Sequence, residues 1–273
     1  MTFKRRALLL AIGAMSLALS QVAQAQQAGT SVLETIKQRG KLVIGLSTFV
    51  PWAMLDKSGN LVGFEIDVGR KLAADMGVEV EFVPTAWDGI IPALLSGRFD
   101  MIVSGMSITP ARNLTVNFSE PYAYSGLRIV ANRKLEEKLG DISDLNSADI
   151  TLALRRGATP VAFAQQTFPK ARILQLDDEG AQVQEVVSGR ADATIASEPL
   201  PSTSVADYPD QLYIPFDDLL NVTAEGIAVR KGDPDVLNFL NNWIAANWRN
   251  DFLQERNDFW FRTEEWASEV SPQ

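Results

Sequence analysis

Met101-Ile102-Val103-Ser104-Gly105-Met106-Ser107-Ile108-Thr109-Pro110-Ala111-Arg112 is the stretch on which the reading of this chain turns. Three apolar residues make a short buried strand, and the residues after it supply hydroxyls, exposed backbone N–H groups and a guanidinium. That set suits a carboxylate, because the planar fork of arginine makes two parallel charge-assisted hydrogen bonds while hydroxyls and amides flank it. The alternative is that Arg112 serves a solvated or structural ion pair.

Working outward, the same strand belongs to a β-α-β rhythm. Leu42 to Leu46, Val80 to Val83 and Met101 to Ser104 read as strands, with helical patterns at Glu65 to Met76 and Ile90 to Ser96. Asp56-Lys57-Ser58-Gly59-Asn60 is a turn between Trp52-Ala53-Met54-Leu55 and Leu61-Val62-Gly63-Phe64, a hairpin inserted after the first strand. After Leu127 to Ala131 the rhythm restarts: Ile150 to Leu154, Pro160 to Thr167, Ile173 to Leu176, Gln182 to Ser188, Ala193 to Ala196. Two similar series predict an α/β protein of two lobes. Parallel strands joined by helices put ligand crevices at their carboxyl ends, so the cleft between the lobes is the natural site. No low-complexity linker divides the halves, and ordered strands near Leu127 to Arg133 and Thr223 to Val229 are expected to join them. From Asp233 onward the spacing of Val236, Phe239, Leu240, Trp243 and Ile244, then the aromatics from Phe252 to Phe261, predicts two core-facing helices. The resulting division is 1–25 leader, 26–126 first lobe, 127–222 second lobe, and 223–273 return to the first lobe with the terminal helices.

The beginning of the chain reads as a targeting segment. Lys4, Arg5 and Arg6 precede an uncharged apolar run from Ala7 to Leu19 and the small-residue site Ala23-Gln24-Ala25, a secretory signal pattern with cleavage expected after Ala25 and a periplasmic destination. Taking those 25 residues and three basic charges from 273 residues and a net charge of −9 leaves 248 residues and −12. Such acidity argues against nucleic acid and anionic membranes as partners. The chain has no cysteine and no histidine, which removes disulfides, thiol nucleophiles, the usual general base and transition-metal sites. No catalytic residue, metal or cofactor is assigned, and nothing in the sequence signals an oligomer.

Further segments complete a cleft. Ser47-Thr48-Phe49-Val50-Pro51-Trp52 follows the first strand and offers Phe49 to a solute, while Trp52 either joins it or packs under the hairpin. Trp87 opens the helical pattern Asp88 to Leu94 and supplies an opposite aromatic wall. In the second lobe, Arg155-Arg156-Gly157-Ala158-Thr159-Pro160 follows a strand, with Thr159 read as N-cap and Pro160 as first helical residue, so that free N–H groups face the cleft. Alternation along a strand lets at most one of Arg155 and Arg156 point inward. Ser197 and Glu198 end a strand at the same edge; Glu198 either holds an ammonium or complements a helix dipole.

These segments, in this order, resemble the amino-acid-binding proteins of ABC importers, the extracytoplasmic solute-binding family 3. The resemblance rests on Asn60 to Asp67, Trp87 to Leu94, Ser104 to Arg112, Phe118-Ser119-Glu120-Pro121-Tyr122 and Gly226 to Asp233, and covers essentially the whole chain after the leader. It implies the two-lobed type II periplasmic-binding fold with two hinge strands, capture of a small-molecule ligand by lobe closure, and docking on a membrane permease. Carried over residue by residue, Phe49 and Trp87 match the family's aromatic walls. Ser104, Gly105 and Ser107 match carboxylate and amine contacts, Arg112 the carboxylate-binding arginine and Thr159 a second-lobe donor. The departure is at Ser197, where the family carries an aspartate for the α-ammonium: either Glu198 takes over, or the ligand lacks an ordinary α-ammonium. The first loop has only Ser47 and Thr48 where many relatives carry an acid for polar side chains, which disfavours strongly basic amino acids, and an inward Arg155 or Arg156 would favour an acidic group. An enzymatic alternative exists on the same fold, a periplasmic dehydratase with Glu198 as general acid.

Overall fold

The computed structural model describes residues 31–270; the leader and its expected cleavage site lie outside the described residues. Ser31 caps the first helix, α1 (Val32–Arg39), by accepting from the Leu33 N–H, and Gly40 closes it in the left-handed conformation. The chain then enters β1 (Lys41–Leu46), whose Leu42, Ile44 and Leu46 are fully buried. β2 (Met54–Leu55) and β3 (Leu61–Val62) form the inserted hairpin, antiparallel with Met54 opposite Val62. Gly63 has to be glycine: its φ is 133°, and a Cβ there would lie 2.3 Å from the Trp52 carbonyl oxygen. From it starts α2 (Phe64–Met76), which buries Phe64, Ile66, Val68 and Leu72 on the first-lobe sheet.

β4 (Glu79–Pro84) and β5 (Met101–Ile102) flank β1 in parallel, with α3 (Ile90–Leu95) between them and the short α4 (Pro110–Asn113) after the loop that leaves β5. β6 (Asn117–Asn132) is 16 residues long and crosses from one lobe to the other. Its Tyr122 and Ala123 belong to the core of the first lobe, and its Leu127, Ile129 and Ala131 to that of the second. The crossing therefore falls at Tyr124 to Gly126, earlier than the stretch from Leu127 expected from the sequence, because the apolar run at Leu127 is itself second-lobe core.

The second lobe repeats the plan with β7 (Thr151–Arg155), α5 (Thr159–Thr167), β8 (Arg172–Leu176), α6 (Glu179–Val187), β9 (Ala193–Ser197), α7 (Leu200–Asp207) and β10 (Leu212–Tyr213). β11 (Asn221–Val229) returns antiparallel along β6, Asn221 opposite Leu127 and Val229 opposite Asn117, with register shifts around Gly226. The sheet order β4-β1-β5-β11-β6-β9-β7-β8 shows that the two lobes are one continuous sheet joined through the paired strands β6 and β11. Finally α8 (Pro234–Arg249) and α9 (Phe252–Arg262) pack on the first lobe. Their indoles are buried with partners: Trp243 donates to Asp75 and Trp260 to Asp67, each at 2.8 Å.

Candidate functional site

The strand ends and helix starts of both lobes converge on one cavity. Phe49, Trp87, Gly105 and Ser107 line it from the first lobe; Arg155, Thr159, Glu179, Gln182 and Ser197 line it from the second. The space that the centre of a water molecule can reach is about 30 Å³, so the walls stand close together. Contacts across the cleft agree: Trp87 Nε1 donates to the Gly157 carbonyl at 3.2 Å, and the hydroxyls of Ser107 and Thr159 lie 3.4 Å apart.

Of Arg155, which ends β7, and Arg156, which follows it, the first turns inward and the second outward, to Asp177 at the surface. Arg155 is 5 % exposed. Its guanidinium carbon lies 5.1 Å from the Trp87 ring centroid and 5.8 Å from that of Phe49, so the cation spans the two aromatic walls. One of its nitrogens donates to the Ser47 hydroxyl and another lies 3.4 Å from Glu179. Burial pushes the Glu179 carboxyl up, and Arg155 opposes that shift. Arg155 Nε and Gln182 Oε1 are buried without a hydrogen-bond partner among the described residues. They are a donor and an acceptor on residues that both line the cavity from the second lobe.

Arg112 leaves α4 half-buried, over the Trp87 ring at 5.4 Å, and donates to the carbonyls of Ser107 at 3.0 Å and Gly157 at 3.3 Å. It bridges the lobes beside the cavity without forming part of its wall, and no carboxylate lies in ion-pair range of it among the described residues. Burial draws its guanidinium down to about 10, with Glu225 opposing.

Other sequence expectations are corrected. Ser104 is fully buried, its hydroxyl accepting from the Ser47 N–H at 2.8 Å, which makes it a strut between two cleft loops. The Gly105 N–H points away from the cavity, into the carboxylate of Glu65 at 2.7 Å and the Tyr122 hydroxyl at 3.1 Å. Thr159 is the first residue of α5 and Ala158 its N-cap, because Pro160 occupies the second helical position. Trp52 takes the second of its two expected places: it is 2 % exposed and packs against Phe64 and Phe261 beneath the hairpin, while Phe49 lines the cavity from that loop. Glu198 does not line the cavity: Arg128 Nε lies 2.8 Å from its carboxylate and Ser202 donates to it from Oγ and N.

Three carboxylates around the site were not read from the sequence. Glu179 follows the N-cap Asp178, and the rule that helix starts face the cleft, applied there as at Trp87 and Thr159, finds it. Glu65 is fully buried and held up to about 8 by that burial, although Tyr122 and the Gly105 amide hydrogen-bond it. Glu225 sits on β11, 1 % exposed, raised to about 7 by burial. Both stand in apolar-looking segments whose neighbours come from distant parts of the chain, and no local pattern marks them.

A two-lobed sheet with paired crossing strands, and a small polar and aromatic cavity where both lobes meet, defines a protein that captures a solute by closure. The chain belongs to the bacterial extracellular solute-binding proteins, family 3, whose family model matches residues 42–263. It is similar to the L-cystine-binding protein TcyJ of Escherichia coli K12, 29% identical over 235 residues that cover 86% of this chain and 87% of that one. Among solved structures it resembles a putative binding component of an ABC transporter from Wolinella succinogenes complexed with lysine, at 37% identity and a TM-score of 0.79, covering 85% of this chain and 100% of that one. It also resembles an ancestral amino acid-binding protein, AncCDT-1, a precursor of cyclohexadienyl dehydratase, at 39% identity and a TM-score of 0.77, with the same coverage. Among the described residues no helix is long and apolar enough to cross a membrane, and no cluster of potential metal ligands occurs.

Proposed function

We propose that this chain is the periplasmic solute-capturing component of an ABC importer, acting as a monomer that closes on an amino acid or related small carboxylate with an acidic group and delivers it to a membrane permease. The family and the names of its relatives support capture and transport. Arg155 carries the choice of ligand. Its guanidinium fills the slot between Phe49 and Trp87, so a basic side chain entering that slot would meet a buried cation, whereas an acidic group gains a charge-assisted donor in Arg155 Nε. Gln182, which also lines the cavity, offers the acceptor Oε1 for a protonated or amide-bearing end. Phe49, Ser107, Thr159 and Ser197 line the remainder, with Arg112 at the rim for the common carboxylate.

The test is a thermal-shift screen of the chain, stripped of bound solute by unfolding and refolding, against amino acids, dicarboxylates, opines and betaines. A ligand at a hundred times its dissociation constant adds about 2.7 kcal/mol of apparent stability, and each kcal/mol is worth roughly 2 to 4 °C at this chain length. The largest shift from an acidic amino acid or dicarboxylate is expected. The largest shift from lysine or arginine overturns the assignment of Arg155, and silence from every carboxylate overturns the capture site itself.

Resemblance to a dehydratase precursor raises a second reading, conversion of a cyclic acid with Glu198 as proton donor. Glu198 is clasped by Arg128 and Ser202 outside the cavity wall, which counts against it. Product formation from a cyclic carboxylic acid, lost in Glu198→Gln, would reinstate it.

A further inference from the structure

The charges around the cavity do not match a zwitterion until one more group is counted. Arg112 and Arg155 bring two cations to the site. Among the carboxylates, Glu179 is taken by Arg155, and Glu198 by Arg128 and Ser202; Ser197 is neutral on the wall. The remaining acid within reach of the Arg112 field is Glu225. It is paired with Ser107 in an antiparallel bridge, fixed by Ile108 N–H to the Ala224 carbonyl at 2.8 Å and Gly226 N–H to the Met106 carbonyl at 3.1 Å. These bonds flank the pair, which makes it the closely spaced kind whose side chains lie side by side on one face. Ser107 lines the cavity, and Glu225, which does not, is its direct neighbour across the bridge. Oε1 accepts from Thr223 Oγ1 at 2.6 Å, and Oε2 is buried without a hydrogen-bond partner among the described residues.

Resting on the reading of this cleft as an acidic-solute site, we propose that Glu225, from the crossing strand β11, is the specificity-determining residue that supplies the negative charge an α-ammonium needs and thereby selects amino acids over carboxylates without one. A buried carboxylate with a free oxygen is costly to ionise in isolation, and a cation arriving at Ser107 repays that cost. The titratable and charged groups facing Glu225 are Arg112, which favours its ionisation, and Glu65 and Tyr122, whose own ionisations it opposes. Glu225 is held near about 7, so its charge changes within the range in which the chain can be assayed.

The linkage has a sign. An α-ammonium favours ionised Glu225, and an added anion without one favours the protonated form. L-glutamate and glutarate share a carbon skeleton and differ in that ammonium. Calorimetric titration of the full chain with each probe, in two buffers of different ionisation enthalpy near pH 7, is expected to show proton uptake with glutarate and release, or distinctly less uptake, with L-glutamate. Over pH 6 to 8 the preference for L-glutamate over glutarate is expected to rise about tenfold, and in Glu225→Gln to stay flat and weaker. Identical proton exchange for both probes, which needs no variant to fold, overturns the proposal. So does a pH-dependent preference that survives Glu225→Gln. Failure of both probes to bind at any pH is a different result: it removes the acidic-solute reading, and this proposal with it.

Discussion

Replacing Glu65 by glutamine removes the carboxyl group from the buried contacts behind Gly105 without removing an acceptor for its N–H. Glu65 is fully buried and accepts from the Tyr122 hydroxyl at 2.7 and 2.8 Å and from the Gly105 N–H at 2.7 Å. Burial raises its carboxyl from 4.5 to about 8. A raised acid binds its proton more tightly in the fold than in the unfolded chain, so stability is fully present below pH 4.5 and is lost as pH rises toward 8. At about 1.4 kcal/mol per factor of ten, the gap corresponds to at most about 5 kcal/mol. Local rearrangement lowers that bound, and a loss of order 2 to 4 kcal/mol between pH 5 and pH 8 is the working figure. Glutamine keeps the shape and an acceptor for Gly105 but cannot ionise. The Glu65→Gln chain is therefore expected to melt close to the unaltered chain at pH 5 and roughly 4 to 16 °C above it at pH 8, taking 2 to 4 °C per kcal/mol. Circular dichroism melts at half-unit pH intervals measure this. Parallel melting curves for the two chains would refute a protonated, buried Glu65, and a variant already destabilised at pH 5 would show that the hydrogen bonds matter more than the charge.

Three further outcomes follow from the same geometry. Arg112→Ala is expected to cost at least about a hundredfold in affinity, near 3 kcal/mol, while leaving the melting temperature of the solute-free chain within a few degrees; unchanged affinity in the thermal-shift screen would strip Arg112 of its role. Gly105→Ala puts a Cβ 2.7 Å from Phe49 and 3.2 Å from Trp52 at a φ of 52°, and a loss of about 2 to 4 kcal/mol in chemical denaturation is expected from strain and overpacking together, with wild-type stability refuting the close approach. Ser197→Asp is expected to tighten ordinary L-amino acids and to restore them in a Glu225→Gln background; weakened binding of L-glutamate would mean that the Ser197 hydroxyl is already a fitted contact.

The lobes were legible in the sequence because each depends on local patterns: apolar runs of strand length, helical periodicity and small-residue loops between them. Phe49, Trp87, Ser107, Thr159 and Ser197 were reached in the same way, since each stands at a strand end or helix start, and topology sends those to one edge. What the sequence concealed depends on long-range pairing. Ser104 looked like a ligand hydroxyl, but its partner is the amide of Ser47, 57 residues away. Gly105 looked like an amide donor, but its N–H belongs to Glu65. Whether Arg155 or Arg156 turned inward required the register of β7 against β8 and β9, which no single segment contains.

Several of the groups that hold the lobes together, Trp87, Ser107, Thr159 and Arg155, also line the cavity, and this bears on what capture must accomplish. Trp87 and Arg112 reach Gly157, Ser107 meets Thr159, and Arg155 crosses to Ser47 and to the rings of Phe49 and Trp87. A solute that closes the cleft cannot simply add contacts to these; it has to complement donors already committed across the interface, Arg155 above all. A cationic side chain would force that guanidinium out of its aromatic slot and leave Glu179 buried without its partner, so it would open the cleft it entered. An acidic group leaves Arg155 in place and satisfies its free Nε, so binding and closure reinforce one another. On the proposed reading, selectivity for an acid and capture by closure are consequences of the same buried arginine.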